Sequence, residues 1–186
     1  MRIEAYDRVP PGLAEQVHDL LRTCFDRPRT PEQHVAHQDR FSSAGDAIKH
    51  VITSDNETVV GLVRVFVRTI SFQSEPVILG GIGDVCTHPD WRGRGIARAA
   101  LEVAMQTLVD AQADVAYLCA DLGNPSRLRL YGQFGFVPLG RPQTYVGPSG
   151  TRYTDTDAML APVRSRAAFE RVMAAVEPFD IGRGNW

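Results

Sequence analysis

The stretch HPDWRGRGIARAAL, residues 88–101, constrains the fold of this chain more than any other. It joins the apolar run VILGGIGDVCT to a segment in which Ile96, Ala100, Val103, Ala104 and Leu108 recur at helical spacing. A second apolar run follows at residues 115–120, so residues 80–120 read as strand, glycine-rich turn, helix and strand, the pattern of a parallel crossover. A helix start offers unpaired N–H groups and a partial positive charge, and glycine lets an anion reach the backbone without a Cβ in the way. Arg92, Arg94 and Arg98 add side-chain charge, so the turn is expected to hold an anion. The bland alternative is a solvated surface turn. Spacing disfavours two nucleotide readings: a Walker A loop ends in GK[ST] where this turn has GIA, and a GxGxxG fingerprint meets Arg98 at its third glycine.

The remainder supports an α/β (α+β) chain without repeats or long linkers. Residues 3–6 read as a first strand, and residues 13–25 as an amphipathic helix. Thr30 before Pro31, with Gln33 three residues on, caps a more polar helix running toward Phe41. Residues 48–53 and 58–70 are β-branched runs joined by SDNE, a hairpin signature. Gly80, Gly81 and Gly83 loosen the next strand and are read as a place where a ligand approaches. NPSRLRLYGQFGF then gives a short helix, FVPLG and residues 157–162 give strands, and residues 164–176 give a helix before the tail EPFDIGRGNW.

The run Arg92-Gly93-Arg94-Gly95-Ile96-Ala97 matches the R/Q-x-x-G-x-G/A pattern of the GCN5-related N-acetyltransferases, the GNAT family, and NPSRLRLYGQFGFVPLG resembles that family's second signature. The resemblance implies a GNAT fold, a central mixed and splayed sheet of about six to seven strands flanked by helices. It implies one domain over residues 1–186, with a C-terminal helix and a substrate-side tail. The implied acyl donor is acetyl-CoA. Its pyrophosphate would lie on the backbone of Arg92, Gly93, Arg94, Gly95, Ile96 and Ala97, and its pantetheine arm would pair with the strand at Val85, Cys86 and Thr87.

Acetyl transfer to an amine needs a deprotonated amine, a donor to the developing oxyanion and an acid for the leaving thiolate. By resemblance Asp84 is the base, acting directly or through water, the Val85 N–H the oxyanion donor, and Tyr131 the acid. Asn124 would position Tyr131's segment or bond the pantetheine. The alternatives are an Asp84 that only bonds backbone at a bulge and a Tyr131 that only packs. Cys86 as an acyl-accepting nucleophile is a further alternative, against a thiol that merely fills the core. His88, His34 and His37 lack a ligand constellation, so no metal site is expected.

The tail resembles the end of aminoglycoside 2'-N-acetyltransferases, which implies Asp180 and the carboxylate of Trp186 as substrate ligands, with Asp155 and Asp157 as further acidic candidates for a polycation. Against this, Trp186 plugging a groove is the structural alternative. The loop DRPRTPEQH differs from the acidic version in those enzymes. The acceptor is thus expected to be a small-molecule amine, an aminoglycoside among the candidates, with a protein or peptide amine, or a non-catalytic acyl-CoA sensor, as alternatives. A formal net charge of −2 argues against nucleic acid or a polybasic membrane surface as partner. No apolar run approaches the roughly 18 residues of a membrane span, and the three cysteines form no CxxC pair, which suggests a cytoplasmic protein with reduced thiols. Family members are often homodimers, and the sequence identifies no interface.

Overall fold

The computed structural model describes residues 1–41 and 47–186. In chain order its strands and α-helices are β1 (Arg2–Tyr6), α1 (Ala14–Phe25), α2 (Pro31–Phe41), β2 (Lys49–Asp55), β3 (Thr58–Phe72), β4 (Glu75–Thr87), α3 (Ile96–Asp110), β5 (Val115–Cys119) and α4 (Pro125–Gly132), followed by β6 (Val137–Pro138), β7 (Gln143–Val146), β8 (Arg152–Asp155), β9 (Ala158–Pro162), α5 (Arg166–Ala174) and β10 (Phe179–Arg183). Seven strands form a mixed sheet in the order β1-β2-β3-β4-β5-β9-β6, the GNAT arrangement expected from the sequence. A second sheet, β10-β7-β8, was not foreseen there: its strands are short, and β10 pairs in parallel with a β7 that lies far away in the chain.

Period-two alternation in β3 decides which helix covers which face. Val63 and Val65 point to one side, where with Val51 and Ile82 they meet Ala100, Leu101, Ala104 and Leu108 of α3. Leu62 points to the other side and packs with Val17 and Leu20 of α1. Further along that second face, Phe66, Ile70, Phe72, Leu79 and Tyr117 are covered by Phe169 and Val172 of α5 and by Phe179, Ile181 and Trp186 of the tail. The tail is therefore part of the core and not an appendage.

Two contacts fix it there. The Trp186 indole stacks on Phe66 at 5.4 Å, meets Tyr117 edge-on at 5.8 Å and lies under the Arg68 guanidinium at 3.9 Å. Arg68 Nη1 also donates to the carbonyls of Ile181 at 2.9 Å and Gly184 at 3.3 Å, so one half-buried cation gathers the tail backbone. Burial pulls this guanidinium down to about 10, with the neighbouring Tyr117 acting in the opposite direction.

The glycines of β4 are explained by this packing and not, as expected, by ligand approach. A Cβ on Gly81 would lie 2.1 Å from the Trp186 ring, one on Gly83 would lie 3.1 Å from Phe66, and one on Gly80 would lie 2.6 Å from Leu108. Each glycine makes room for a side chain of the protein itself. No helix among the described residues is long and apolar enough to cross a membrane.

Gly81→Ala is expected to cost about 1–3 kcal/mol by overpacking and Trp186→Ala about 3–5 kcal/mol by leaving a cavity. In urea unfolding the double variant should be more stable than the sum of the two losses requires, because the ring that obstructs the new methyl is gone. Strictly additive losses would show that the indole does not press on Gly81.

Candidate active site

β4 and β5 pair in parallel at only three positions, Leu79 with Val115, Gly80 with Ala116 and Gly81 with Tyr117. Beyond Gly81 the strands part, leaving the β5-facing edge of β4 without a strand partner among the described residues through residues 82–87. In the same stretch β4 bulges against β3. Leu62 faces Cys86 and Arg64 faces Gly83, so Asp84 and Val85 together oppose Val63. Asp84 takes up the extra residue in a left-handed conformation at φ +50°, a region aspartate tolerates better than most residues. The bulge brings Asp84 to the Arg64 face, where its Oδ2 accepts a hydrogen bond from Arg64 Nη1 at 2.6 Å.

An open cleft of about 1400 Å³ lies over this fork, with Asp84, Val85, Cys119, Tyr131, Asp157 and Trp186 among its lining. Five predicted site residues, Asp84, Val85, Tyr131, Asp157 and Trp186, therefore line one cavity. Tyr131 comes from α4, whose first turn is capped by Asn124: its Oδ1 accepts from the N–H groups of Ser126 at 3.1 Å and Arg127 at 3.3 Å. The Tyr131 ring packs edge-on against Phe136, and its hydroxyl has no hydrogen-bond partner among the described residues. Burial pushes this hydroxyl up, partly offset by Arg127.

The turn leading to α3 keeps its backbone open. Gly93 and Gly95 have φ of +76° and +77°, and nothing lies within 4 Å of where their side chains would begin. Among the described residues no N–H group of residues 93–98 meets an acceptor within the protein. The arginines mostly brace the turn. Arg92 Nε donates to the Thr87 carbonyl at 3.3 Å, Arg94 lies 4.6 Å above the Trp91 ring, and Arg98 pairs with Glu102 at 3.2 Å. The backbone is left as the turn's principal set of free donors.

Two other predicted substrate ligands are engaged away from the cleft. Asp155 pairs with Arg40 at 3.0 Å and accepts from the Tyr145 hydroxyl at 2.6 Å, while Asp180 pairs with Arg152 at 2.8 Å. Neither lines the cavity. Cys86 faces the α1 side of the core, where burial raises its thiol well above the ordinary range, with Cys24 and Asp84 adding to the shift. That leaves little thiolate for an acyl-accepting role. His88 caps the short turn after β4, with Nδ1 accepting from the Asp90 N–H at 3.4 Å.

Sequence reasoning passed over Arg64, the partner of Asp84, and His50, which pairs with Arg64 across β2 and β3 and lines the same cleft. Burial, then Arg64, pushes the His50 imidazole below its ordinary range, against a smaller opposite effect of Asp84. The signal for Arg64 was present in LVRVFVR, where an arginine alternates in phase with Leu62 and Phe66 on a buried face. Under the cleft floor, Tyr117 donates to Asn185 Oδ1 at 2.9 Å, and Gln143 Nε2 donates to Asp157 at 2.7 Å and to Cys119 Sγ at 3.5 Å. Burial, then Asp157, pushes the Cys119 thiol up to about 12.

The family described as an acetyltransferase (GNAT) domain matches residues 5–139. No curated protein matches the chain. Among solved structures, the GNAT family N-acetyltransferase YhbS of Escherichia coli in complex with CoA superposes with a TM-score of 0.61 at 18% identity, covering 98% of this chain and 90% of that one. Naa20 of Chaetomium thermophilum in complex with a bisubstrate analogue gives 0.63 at 13% identity, covering 98% and 97%. The ribosomal-protein-S18-alanine N-acetyltransferase of Escherichia coli gives 0.54 at 15% identity, covering 89% and 96%. These likenesses establish the fold.

A thiol held at about 12 is thiolate to the extent of roughly one part in ten thousand at pH 8. Iodoacetamide is therefore expected to label Cys119 at least about a hundredfold more slowly than a free cysteine peptide at that pH. Peptide mass spectrometry reads the rate, and labelling at the free-thiol rate would show that Cys119 is not desolvated.

Proposed function

The chain belongs to the GNAT acetyltransferase family, and on that premise we propose that it transfers acetyl from acetyl-CoA to a primary amine of a small molecule by direct attack on the thioester. The observation that carries this reading is the parting of β4 from β5 after Gly81, which leaves an unpaired strand edge running into the free N–H groups of residues 93–98. Acetyl-CoA fits these features: the strand edge suits pantetheine amides, and the turn suits a pyrophosphate. When bound, acetyl-CoA supplies an activated acyl group and a thiolate leaving group.

The roles of the chain's own residues follow from their surroundings. Asp84 is proposed to draw the proton from the acceptor ammonium. Arg64 occupies part of its carboxylate at 2.6 Å, which favours relay through a water over direct contact. The Val85 N–H lies in the bulge and is proposed to face the developing oxyanion. Tyr131, protonated and without a partner for its hydroxyl, is proposed to protonate the departing thiolate. Asn124 acts at one remove, by capping the helix that carries Tyr131. Asp157 is proposed as an acidic contact for the acceptor amine.

A small acceptor is supported by the walls of the cleft, where His37 and Phe41 of α2 and Trp186 of the tail stand beside the sheet. A polycationic aminoglycoside has less support, because Asp155 and Asp180 are neutralised by Arg40 and Arg152. A peptide acceptor is the second reading, favoured by the similarity to Naa20 and to the S18-alanine N-acetyltransferase.

Following CoA release with a panel of amines, Tyr131→Phe is expected to lower kcat by about 10²–10⁴-fold, the range for loss of a general acid, with the Kd for acetyl-CoA within about twofold of the parent. An unchanged kcat would remove Tyr131 from the mechanism. Gly95→Val places a β-branched residue at φ +77° in the anion cradle. It should weaken acetyl-CoA binding at least about tenfold in calorimetric titration, and undiminished affinity would contradict the assignment of the turn.

A further inference from the structure

The charges that line the cleft do not balance locally. Asp7 bonds Lys49, Asp84 bonds Arg64, and Asp121 lies 3.8 Å from Arg127, so three of the four aspartates in the lining already face a cation. The fourth, Asp157, accepts from Gln143. Arg8, Arg27 and Arg29 line the same cleft, and among the described residues none of them makes an ion pair or a side-chain hydrogen bond. Arg8 stands on the connection from β1 to α1, and Arg27 and Arg29 on that from α1 to α2. Arg29 lies near enough to His37 of α2 to help lower that imidazole, after burial, so the cationic wall continues onto a neutral histidine and not onto a carboxylate. Asp26 lines only the adjoining smaller pocket, which Arg27 and Arg29 share with Thr30 and His34.

The cleft is thus bipolar. Asp157 precedes β9, beside β5 in the sheet, whereas Arg8 follows β1 at the opposite edge and Arg27 and Arg29 follow α1, which packs over β3 and β4 on the other side of the fork from β9. The thioester position inferred above, over the fork after Gly81, shares this cleft with both groups. Resting on the acetyltransferase reading, we propose that the acceptor is an amine that also carries an anionic group, a carboxylate or a phosphate, and that Arg8, Arg27 and Arg29 form its anion subsite. Guanidinium forks suit either anion through paired N–H donors. With the anion held there and the ammonium directed toward Asp157 and Asp84, the nitrogen is oriented toward the thioester before any proton moves.

The test uses matched amines on the full chain saturated with CoA for binding and with acetyl-CoA for turnover. Phosphoethanolamine is set against ethanolamine, β-alanine against β-alaninamide, and an acidic dipeptide against its amide, with spermidine and an aminoglycoside as polycations. The anion-bearing member of a pair is expected to bind, and to be acetylated by kcat/KM, at least tenfold better than its neutral partner. A phosphate preference would assign the subsite to phosphorylated amines, and a carboxylate preference to amino acids or peptide ends. In the triple variant Arg8→Gln/Arg27→Gln/Arg29→Gln the discrimination should fall to within about twofold, while the Kd for acetyl-CoA and the circular dichroism spectrum stay those of the parent. Equal handling of the pairs, preference for the polycations, no binding of any anion-bearing amine, or discrimination that survives in the triple variant would each overturn the proposal. Those outcomes leave acetyl transfer itself standing. A failure of the parent protein to bind acetyl-CoA would instead remove the reading on which the proposal rests.

Discussion

Everything at the cleft depends on the sheet failing to zip beyond Gly81. Parallel strands that begin to pair ordinarily continue, because each unpaired N–H and C=O left in the interior is costly. Here three features oppose closure. The bulge at Asp84 bends β4 and spends a residue out of register with β3. The indole of Trp186 sits on the last paired residue, touching Gly81 of β4 and Tyr117 of β5 from one face. Tyr131 and Phe136 join the α3 side of the core, giving the other face of the fork its own apolar support. The gap is therefore a built feature of the core, and its backbone edge, unpaired among the described residues, is what the proposed acyl-CoA site rests on.

Features fixed by neighbours in sequence were legible, and features fixed by distant ones were not. The turn at residues 92–97, the helix after it and the long hairpin of β2 and β3 follow from glycine positions and hydrophobic period, which are local. Asp84 was found as a candidate through the family resemblance of its strand, yet its bulge and its partner were hidden. The partner, Arg64, is set by cross-strand register, which one extra residue changes. The glycines of β4 were misread for the same reason. A missing Cβ signals that something approaches closely, and only the fold reveals that the approaching groups are Trp186, Phe66 and Leu108.

The acidic residues show how composition misleads about a surface. The resemblance of the tail drew attention to Asp155 and Asp180, and both prove to be neutralised by arginines from elsewhere in the chain, Arg40 and Arg152. The loop DRPRTPEQH, noted in the sequence only as unlike an acidic version, contributes two guanidiniums that make no ion pair among the described residues. A net charge of −2 is compatible with a cationic wall because pairing, and not the count of charges, decides which of them remain available to a ligand.

The environment of Tyr131 also bears on how a proton reaches a leaving thiolate. Burial raises the hydroxyl, so in the resting enzyme it stays protonated throughout the physiological range. A buried neutral acid of this kind is a poor donor to an uncharged thioester, which is useful because premature protonation gains nothing. In the proposed reaction negative charge would develop on sulfur in this low-dielectric space, where a protonated hydroxyl would be the group placed to meet it. Arg127, whose charge favours the phenolate, softens the barrier from the other side. The same burial that marks Tyr131 as core keeps its hydroxyl protonated, so the packing of this residue is compatible with the acid role proposed for it.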